Sequence, residues 1–473
     1  MLGDLSVSTG EPWYVLHSML IGIATPSLGS IDTLFQAFLN TLSFALQGVA
    51  LGAITGFGLS LVFQYRIIRI LSAFIRSIHE LFWALIFIQI FGLTPLTGVL
   101  AIAIPYAGTF ARVYFELIDD TDSAPLQGIP KSTSKLSSWL YGRLTQAWPH
   151  IIIYSRYRTE CAIRSSAVLG FIGLPTIGFH LETAFRQGNY SEAAGLLYAF
   201  ILVIATLRWW LKAPLLPFYL IASILWLPPV THIDSTTLLR FLTVDIVPAP
   251  LRHSESFTTI DTNYLSLWIE QVLYQSALPG IIQTLGIGLI ALAVTGIIAL
   301  LLFPLASKLF LKQPLHGCGQ LFLIVARTIP EYVLAFIALL MLGPSWIPAI
   351  IALSLHNGSI IAYLVGQISN SIVLRQDACS GLNRYCYEVI PRIYRQFLSL
   401  LFYRWEIILR ETAILGVLGI HTLGFYIDSA FEALRLDQAF ALIIIAAMLN
   451  ITADQLALTI RNRLKLTNTP EEL

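Results

Sequence analysis

The sequence predicts an all-α protein that crosses a membrane many times. Its 473 residues are 56% hydrophobic and only 12% charged, which is far more apolar than the composition of soluble domains. Four stretches lack Asp, Glu, Lys and Arg, and each exceeds the roughly 20 residues that a bilayer crossing requires. These stretches are residues 33–65, 81–111, 271–307 and 332–374. The composition therefore excludes soluble enzymes, nucleic-acid-binding proteins and secreted disulfide scaffolds.

The individual crossings follow from apolar runs that alternate with short polar segments. About eleven transmembrane helices are predicted, near residues 34–62, 72–93, 96–117, 150–172, 192–211, 213–230, 281–303, 319–342, 346–369, 397–420 and 437–458. Lys and Arg cluster in alternate loops, which the positive-inside rule assigns to the cytoplasm. The acidic segment 231–263 is then an external linker. The N-terminus is predicted outside and the C-terminus in the cytoplasm.

Three blocks of sequence occur twice, in the same order and at offsets of 243 to 251 residues. The paired blocks are Arg76-Ser-Ile-His-Glu80 with Arg327-Thr-Ile-Pro-Glu331, Tyr157 to Phe179 with Tyr403 to Phe425, and Asn40-Thr-Leu42 with Gln283-Thr-Leu285. An internal repeat of this length indicates a duplicated module. We predict two pseudo-symmetric halves, 1–212 and 213–473. Both copies enter from the outside, so the repeats are expected to be parallel.

The longest block has the pattern Y-R-x-E-xxx-R-xx-A-x-L-G-xx-G-xxxx-G-F in both halves. Together with the R-S/T-I-x-E block, it resembles the permease subunit of phosphonate-type ABC importers, within the wider superfamily of binding-protein-dependent permeases. The resemblance covers nearly the whole chain, twice. It implies that a permease that is usually a homodimer is here fused into one polypeptide of two permease repeats. It also implies a multi-pass protein of a bacterial inner membrane.

The superfamily carries a cytosolic E-A-A-xxx-G loop that docks on an ATPase subunit, so the resemblance implies two coupling loops. Their candidate residues are Asp122, Ala124, Gly128, Asp377, Ala378 and Gly381. Asp replaces Glu at the start of both loops, and the glycine of the second loop comes two positions early. A solvated loop of acidic and basic residues would look similar, so that alternative stays open.

The same resemblance implies the partners. Two ABC ATPase subunits are expected on the cytoplasmic side and a soluble substrate-binding protein on the outer side, with membrane lipid around the chain and no nucleic acid. No lysine follows a glycine, so the chain has no Gly-Lys-Ser/Thr loop and ATP is expected to bind to the partner subunits. We predict no cofactor, no metal site and no catalytic residue in this chain, which is therefore not an enzyme.

Ionisable residues within predicted spans are functional candidates, because burying them unpaired is costly. Four Arg–Glu pairs have i, i+4 spacing and could each neutralise themselves on one helix face. They are Arg76 with Glu80, Glu160 with Arg164, Arg327 with Glu331, and Glu406 with Arg410. For the Arg76 and Arg327 pairs the favoured interpretation is a structural ion pair that fixes helix packing.

The other two arginines each lie six residues before a glycine-rich break. Irregular backbone at membrane depth is tolerated only where it is buried in protein or lines a cavity. The predicted translocation path comprises Arg164, Gly170, Gly173, Arg410, Gly416 and Gly419. Guanidinium groups recognise phosphonate-like anions well, which suits passage of such a substrate.

These observations predict the membrane-spanning permease subunit of an ATP-driven ABC importer that works by alternating access. The resemblance suggests phosphonate, phosphate or a related small oxyanion as the substrate. The alternative is a passive channel or membrane scaffold that derives from this family and has lost ATPase coupling. Secondary transport on an ion gradient is a weaker hypothesis, because no unpaired acidic residue stands out within a predicted span.

Overall fold

A computed structural model describes residues 12–122, 133–228, 235–252, 262–375, 380–464 and 466. Within these residues the chain is helical and contains no strand, which confirms the predicted all-α class. Four of the proposed coupling-loop residues, Ala124, Gly128, Asp377 and Ala378, lie outside the described residues.

The chain forms two compact units. The first unit is Ser18–Val244, and the second is Asp245–Leu473 together with Met1–His17. Residue 245 lies inside the predicted 231–263 linker, whose described part includes the short helices Ser235–Arg240 and Ala249–Arg252. The repeat boundary at residues 212 and 213 stays a prediction.

The helices of ten or more residues are numbered here in chain order. Up to residue 244 they are α1 (Pro12–Ala24), α2 (Ile31–Leu61), α3 (Arg66–Ser77), α4 (Glu80–Phe91), α5 (Pro95–Asp119), α6 (Thr145–Val168), α7 (Ile177–Arg186), α8 (Tyr190–Trp210) and α9 (Leu216–Trp226). In the second unit they are α10 (Leu278–Leu302), α11 (Leu315–Thr328), α12 (Glu331–Leu342), α13 (Trp346–Ser369), α14 (Ile390–Val417), α15 (Leu423–Glu432) and α16 (Leu436–Arg463).

Shorter helical segments connect or extend these helices. Further α-helices are Lys135–Ser138 and Thr262–Ile269. Turns of π-helix are Trp139–Leu144, Phe241–Asp245, Glu270–Ala277 and Arg384–Val389. Turns of 3₁₀-helix are Leu169–Ile172, Ala213–Leu215 and Phe303–Ala306.

Each unit contains the same sharp bend between two short helices. α3 and α4 meet at 90°, and α11 and α12 meet at 85°. In the second unit Pro330 explains the bend, because a proline disfavours helical backbone at the preceding residue, and Ile329 is extended (ψ 123°). In the first unit His79 takes the same position and caps α4, with its Nδ1 accepting from the Leu81 N–H (3.1 Å). The predicted straight spans 72–93 and 319–342 are therefore broken helices.

The predicted number of crossings is not confirmed. The described residues include six helices that are long and apolar enough to span a membrane, or nine if each bent pair is one span. The predicted span 213–230 corresponds to α9, whose 11 residues reach only about 17 Å of the roughly 30 Å hydrocarbon core. Most of the predicted span 397–420 lies in α14, which ends at Val417 and carries several charged residues, among them Arg404 and Glu406. The count of eleven stays a prediction.

The glycine-rich breaks end the long helices of the Y-R-x-E block. Gly173 (φ +94°) and Gly419 (φ +87°) adopt the left-handed backbone that favours glycine. In the first unit the chain bends by 51° before α7 begins. A Cβ at Gly170 would lie 2.1 Å from the backbone nitrogen of Phe179, and one at Gly416 would lie 2.1 Å from that of Phe425. Because glycine has no side chain, the backbone of the next helix can lie directly against these two residues.

Candidate functional site

Both bends place a glutamate at the start of the second short helix, inside a cluster of polar side chains. In the second unit this cluster consists of Glu331, His356, Asn357, Arg404 and Glu411. In the first unit it consists of His79, Glu80, Tyr106, Arg158 and Ser165. We call them the second-unit cluster and the first-unit cluster.

The second-unit cluster brings two carboxylates and an imidazole together. One ligand-type atom each of Glu331, His356 and Glu411 lies within 4.8 Å of the other two. His356 is 2% exposed on α13, and Glu411 is 9% exposed on α14. The Nε2 atom of His356 lies 3.7 Å from Oε2 of Glu331. Its Nδ1 atom lies 2.9 Å from the carbonyl oxygen of Ile329 at the bend.

Asn357 orients the second carboxylate. Its side-chain amide donates to Oε2 of Glu411 (2.9 Å) and to the Leu353 carbonyl (3.0 Å). Its side-chain oxygen accepts from Arg404 (3.3 Å). Asn357 is fully buried, so these bonds replace the water that its polar atoms would otherwise bind. A chain of polar contacts therefore runs from Arg404 through Asn357 to Glu411.

The first-unit cluster is built around one carboxylate. The Ser165 hydroxyl donates to Oε1 of Glu80. The Arg158 guanidinium lies over the Tyr106 ring, 5.5 Å from its centre. Nε2 of His79 lies 3.9 Å from Oε2 of Glu80. This arrangement stacks a cation on an aromatic face, where an attraction of about 0.5–2 kcal/mol is typical.

The repeat offsets make the two clusters comparable position by position. Glu331 corresponds to Glu80, and Arg404 corresponds to Arg158. The remaining positions differ: Asn357 replaces Tyr106, Glu411 replaces Ser165, and His356 replaces Pro105. A histidine nitrogen lies near the glutamate that both units share, but the histidine comes from different positions of the repeat. The second unit has one carboxylate more than the first.

The bends lie within two of the predicted Arg–Glu pairs, Arg76 with Glu80 and Arg327 with Glu331. Each arginine lies in the helix before the bend and each glutamate begins the helix after it, so the two do not share one continuous helix face. Arg327 stacks on the ring of Tyr363, and its Cζ atom lies 4.3 Å from the ring centre. The ion pairs themselves stay predictions.

The residues of the predicted translocation path lie at the ends of α6 and α14. Arg164 is partly buried, and its Nη2 atom donates to the Cys161 sulfur (3.7 Å). Arg410 is partly buried at the corresponding position, next to Glu411. Glu160 and Glu406, their predicted partners, are partly buried one turn earlier. The path and the two pairings stay predictions.

Two of the proposed coupling-loop residues are described. Asp122 is exposed, and its carbonyl accepts from the Gln146 side chain (3.3 Å). Gly381 is exposed with φ +65°, and the residues after it are anchored: Arg384 donates to the Leu309 carbonyl (2.9 Å) and Tyr385 to the Leu300 carbonyl (2.8 Å). These two hydrogen bonds therefore fix the segment that directly follows Gly381.

Sequence analysis missed most of both clusters. Arg158 and Arg404 lie in the repeated Y-R-x-E block but were not singled out as site residues. Glu411 lies within a predicted span, which weakens the argument that no acidic residue stands out there. The available signal was the position of this carboxylate beside Arg410 within a predicted span, because charges at such depth are rare and often functional.

Comparisons with known proteins find relatives over nearly the whole chain and over shorter stretches of it. The phosphate-import permease protein PhnE of Mycolicibacterium smegmatis is 25% identical over 98% of this chain and 86% of that protein. The phosphite transport system permease protein PtxC of Stutzerimonas stutzeri is 27% identical over 38% of this chain and 70% of that protein. No family model matches, and no solved structure matches.

A third relative matches a shorter part of the chain at higher identity. It is PhnE2 of Escherichia coli (strain K12), a permease protein assigned to a cryptic phosphonate transport system. It is 32% identical over 23% of this chain and 89% of that protein.

Proposed function

This chain belongs to the phosphonate-type permease family of ABC importers, and we propose that it forms the complete membrane-spanning part of one importer. It is a multi-pass membrane permease subunit. In ABC import systems such subunits work together with ATPase subunits and a binding protein. The finer proposal is that residues 1–212 and 213–473 are two permease halves in one polypeptide.

The observation that carries this proposal is the recurrence of the same elements in both compact units. Each unit contains the bent helix pair, a long helix after it, and a Y-R-x-E helix that ends in a glycine-rich break. The coverage of the relatives supports the same idea. PtxC matches 38% of this chain with most of its own length, whereas the Mycolicibacterium protein matches 98% of this chain.

We propose a small tetrahedral phosphorus oxyanion as the substrate. The relatives' names give phosphate, phosphite and phosphonate, which share a phosphorus centre with anionic oxygens. Arg164 and Arg410, partly buried at equivalent positions, support this class, because guanidinium groups bind such oxygens in a bidentate manner. These arginines and the glycine breaks would lie on the translocation path.

The proposed partners are two ATPase subunits on the cytoplasmic side and one soluble binding protein outside. The ATPases would dock on the segments around Asp122 and Gly381, and they would bind the ATP. The protein would lie in a bacterial inner membrane. Its N-terminus would be outside the cell membrane and its C-terminus in the cytoplasm. Alternating access would couple ATP hydrolysis in the partners to movement of the two halves.

Uptake by cells that lack their own phosphate and phosphite importers tests the proposal. The chain would be expressed with the ATPase and binding protein of the same system, and uptake of radiolabelled phosphate, phosphite and methylphosphonate would be measured. We expect saturable uptake of at least one of these anions, and no uptake when the binding protein is omitted. Uptake of none of them would contradict the substrate class.

An ATPase variant that binds but does not hydrolyse ATP separates active import from the passive alternative. An ATP-driven importer loses uptake with this variant, although the complex still assembles. A passive channel keeps the same flux with either ATPase. Flux that persists without hydrolysis would therefore refute the importer and favour the decoupled alternative.

A further inference from the structure

The second-unit cluster gathers three metal-ligand groups from three different helices. Glu331 begins α12, His356 lies in the middle of α13, and Glu411 lies in α14. Their nearest ligand-type atoms are within 4.8 Å of one another. Sequence analysis predicts no metal site. These three residues are far apart in the chain and follow no metal-binding motif. The fold alone brings them together.

The hydrogen bond between His356 and the Ile329 carbonyl determines which nitrogen of the neutral imidazole carries the proton. A carbonyl oxygen can only accept, so Nδ1 of His356 carries the proton that it donates to Ile329 (2.9 Å). In the neutral ring Nε2 is then the nitrogen that is able to bind a metal ion, and it lies 3.7 Å from Oε2 of Glu331. Metal-binding histidines characteristically donate their other N–H to a carbonyl or carboxylate in this way.

The first-unit cluster has the opposite arrangement. There Nδ1 of His79 accepts from the Leu81 N–H (3.1 Å), so the neutral ring carries its proton on Nε2. That nitrogen faces Oε2 of Glu80 at 3.9 Å and presents a donor to the carboxylate. Ser165 supplies a hydroxyl where the second unit has Glu411. In the first unit a hydroxyl donor thus contacts the carboxylate at the position where the second unit has a second carboxylate.

A further layer of side chains holds the Glu411 carboxylate in place. Arg404 donates to the side-chain oxygen of Asn357 at 3.3 Å. Asn357 in turn holds the Glu411 carboxylate, the outer support that metal ligands usually have.

We propose that Glu331, His356 and Glu411 bind one divalent transition-metal ion of the zinc class. One imidazole nitrogen and two carboxylate oxygens suit Zn²⁺, with water as a fourth ligand. Two ligands of one zinc ion lie at most about 4.2 Å apart, so the 3.7 Å between His356 and Glu331 already fits. The ion ties α12, α13 and α14 together at the bend of the second unit. This site is independent of the proposed substrate.

Metal analysis of the full-length chain tests the proposal. The chain would be purified in detergent from Zn²⁺-supplemented cells, washed in metal-free buffer, and assayed for zinc by mass spectrometry. We expect about one zinc ion per wild-type chain, and a loss of more than tenfold in His356→Gln and in Glu411→Gln. The matched control is His79→Gln, which removes the contact between His79 and Glu80 in the first unit. We expect the zinc content of this variant to equal that of the wild-type chain. Less than a tenth of an ion in the wild type, or unchanged zinc in both variants, would overturn the site.

If the variants fold poorly, thermal unfolding of the wild-type chain tests the metal site instead. After removal of metal with EDTA, Zn²⁺ should raise the unfolding temperature by several degrees, because a ligand that binds only the folded state stabilises it. If Zn²⁺ has no effect while acidification from pH 8 to pH 6 stabilises the protein, the carboxylates are balanced by a proton. That result would overturn the metal site.

Discussion

The Thr284 hydroxyl accepts a hydrogen bond from the backbone N–H of Leu423 (2.9 Å). In the first unit the Thr41 hydroxyl accepts from the N–H of Ile177 in the same way (3.0 Å). Each bond joins the first long helix of a unit to the start of the helix that follows the glycine break. Both threonines are central residues of a repeated block, so the structure assigns that block a role in packing.

Removing this acceptor should destabilise the second unit. In Thr284→Val the buried N–H of Leu423 loses its partner, and an unsatisfied buried donor costs about 1–3 kcal/mol. We expect a lower unfolding temperature in detergent. The control is Thr295→Val, because the Thr295 hydroxyl is buried without a hydrogen-bond partner among the described residues. Equal losses in the two variants would contradict the role of the Thr284 bond.

The glycine breaks should not tolerate even a methyl group. A Cβ at Gly416 would lie 2.1 Å from the Phe425 nitrogen and 2.2 Å from the Gly424 carbonyl carbon. The Gly416→Ala variant should therefore lose folded protein, at a cost of about 3 kcal/mol or more. Gly58→Ala is the matched control, since nothing lies within 4 Å of its added Cβ. Size-exclusion chromatography should show a monodisperse control and an aggregated or absent variant; normal yield of Gly416→Ala would refute the packing.

Transport and stability variants separate the two interpretations of Arg410. If Arg410 contacts the substrate, Arg410→Gln should impair uptake and leave the folded yield nearly intact. If it forms a structural pair with Glu406, the single change leaves a buried carboxylate at a cost of about 3–5 kcal/mol and lowers the yield. The double variant with Glu406→Gln removes both charges. Recovery of both yield and uptake in the double variant would reject a substrate contact.

Gly381 allows a test of coupling at the second loop. Its positive φ of +65° favours glycine, and no atom lies within 4 Å of an added Cβ, so Gly381→Val changes backbone geometry without a clash. We expect lower substrate-stimulated ATP hydrolysis at normal membrane insertion. Gly188→Val applies the same strain at another open glycine (φ +73°) and should leave stimulated hydrolysis unchanged. Unchanged hydrolysis in Gly381→Val would count against docking there.

The apolar stretches of the sequence predicted the fold class, but they did not predict the two bends. Pro330 was a usable signal, because proline restricts the residue before it. His79 at the equivalent position carries no such backbone restriction, and it bends the chain by capping α4 instead. Hydropathy cannot distinguish a bent helix pair from one straight helix, so the predicted spans 72–93 and 319–342 ran through both bends.

The polar clusters were hidden for a different reason. Comparing the two halves selects residues that are the same in both, such as Arg158 and Arg404. Glu411 corresponds to Ser165, and Asn357 corresponds to Tyr106, so the comparison discarded them. Their proximity depends on how the long helices cross, which one-dimensional patterns do not specify. Differences between repeats therefore marked the second-unit cluster better than their similarities.

We propose that one chain supplies both halves of the permease. Native mass spectrometry of the complex with its ATPase, extracted from membranes, measures how many copies are present. We expect a mass equal to one copy of this 52.5 kDa chain plus two ATPase subunits. A complex that contains two copies of the chain would contradict the claim, because each copy would then supply only half of the translocation path.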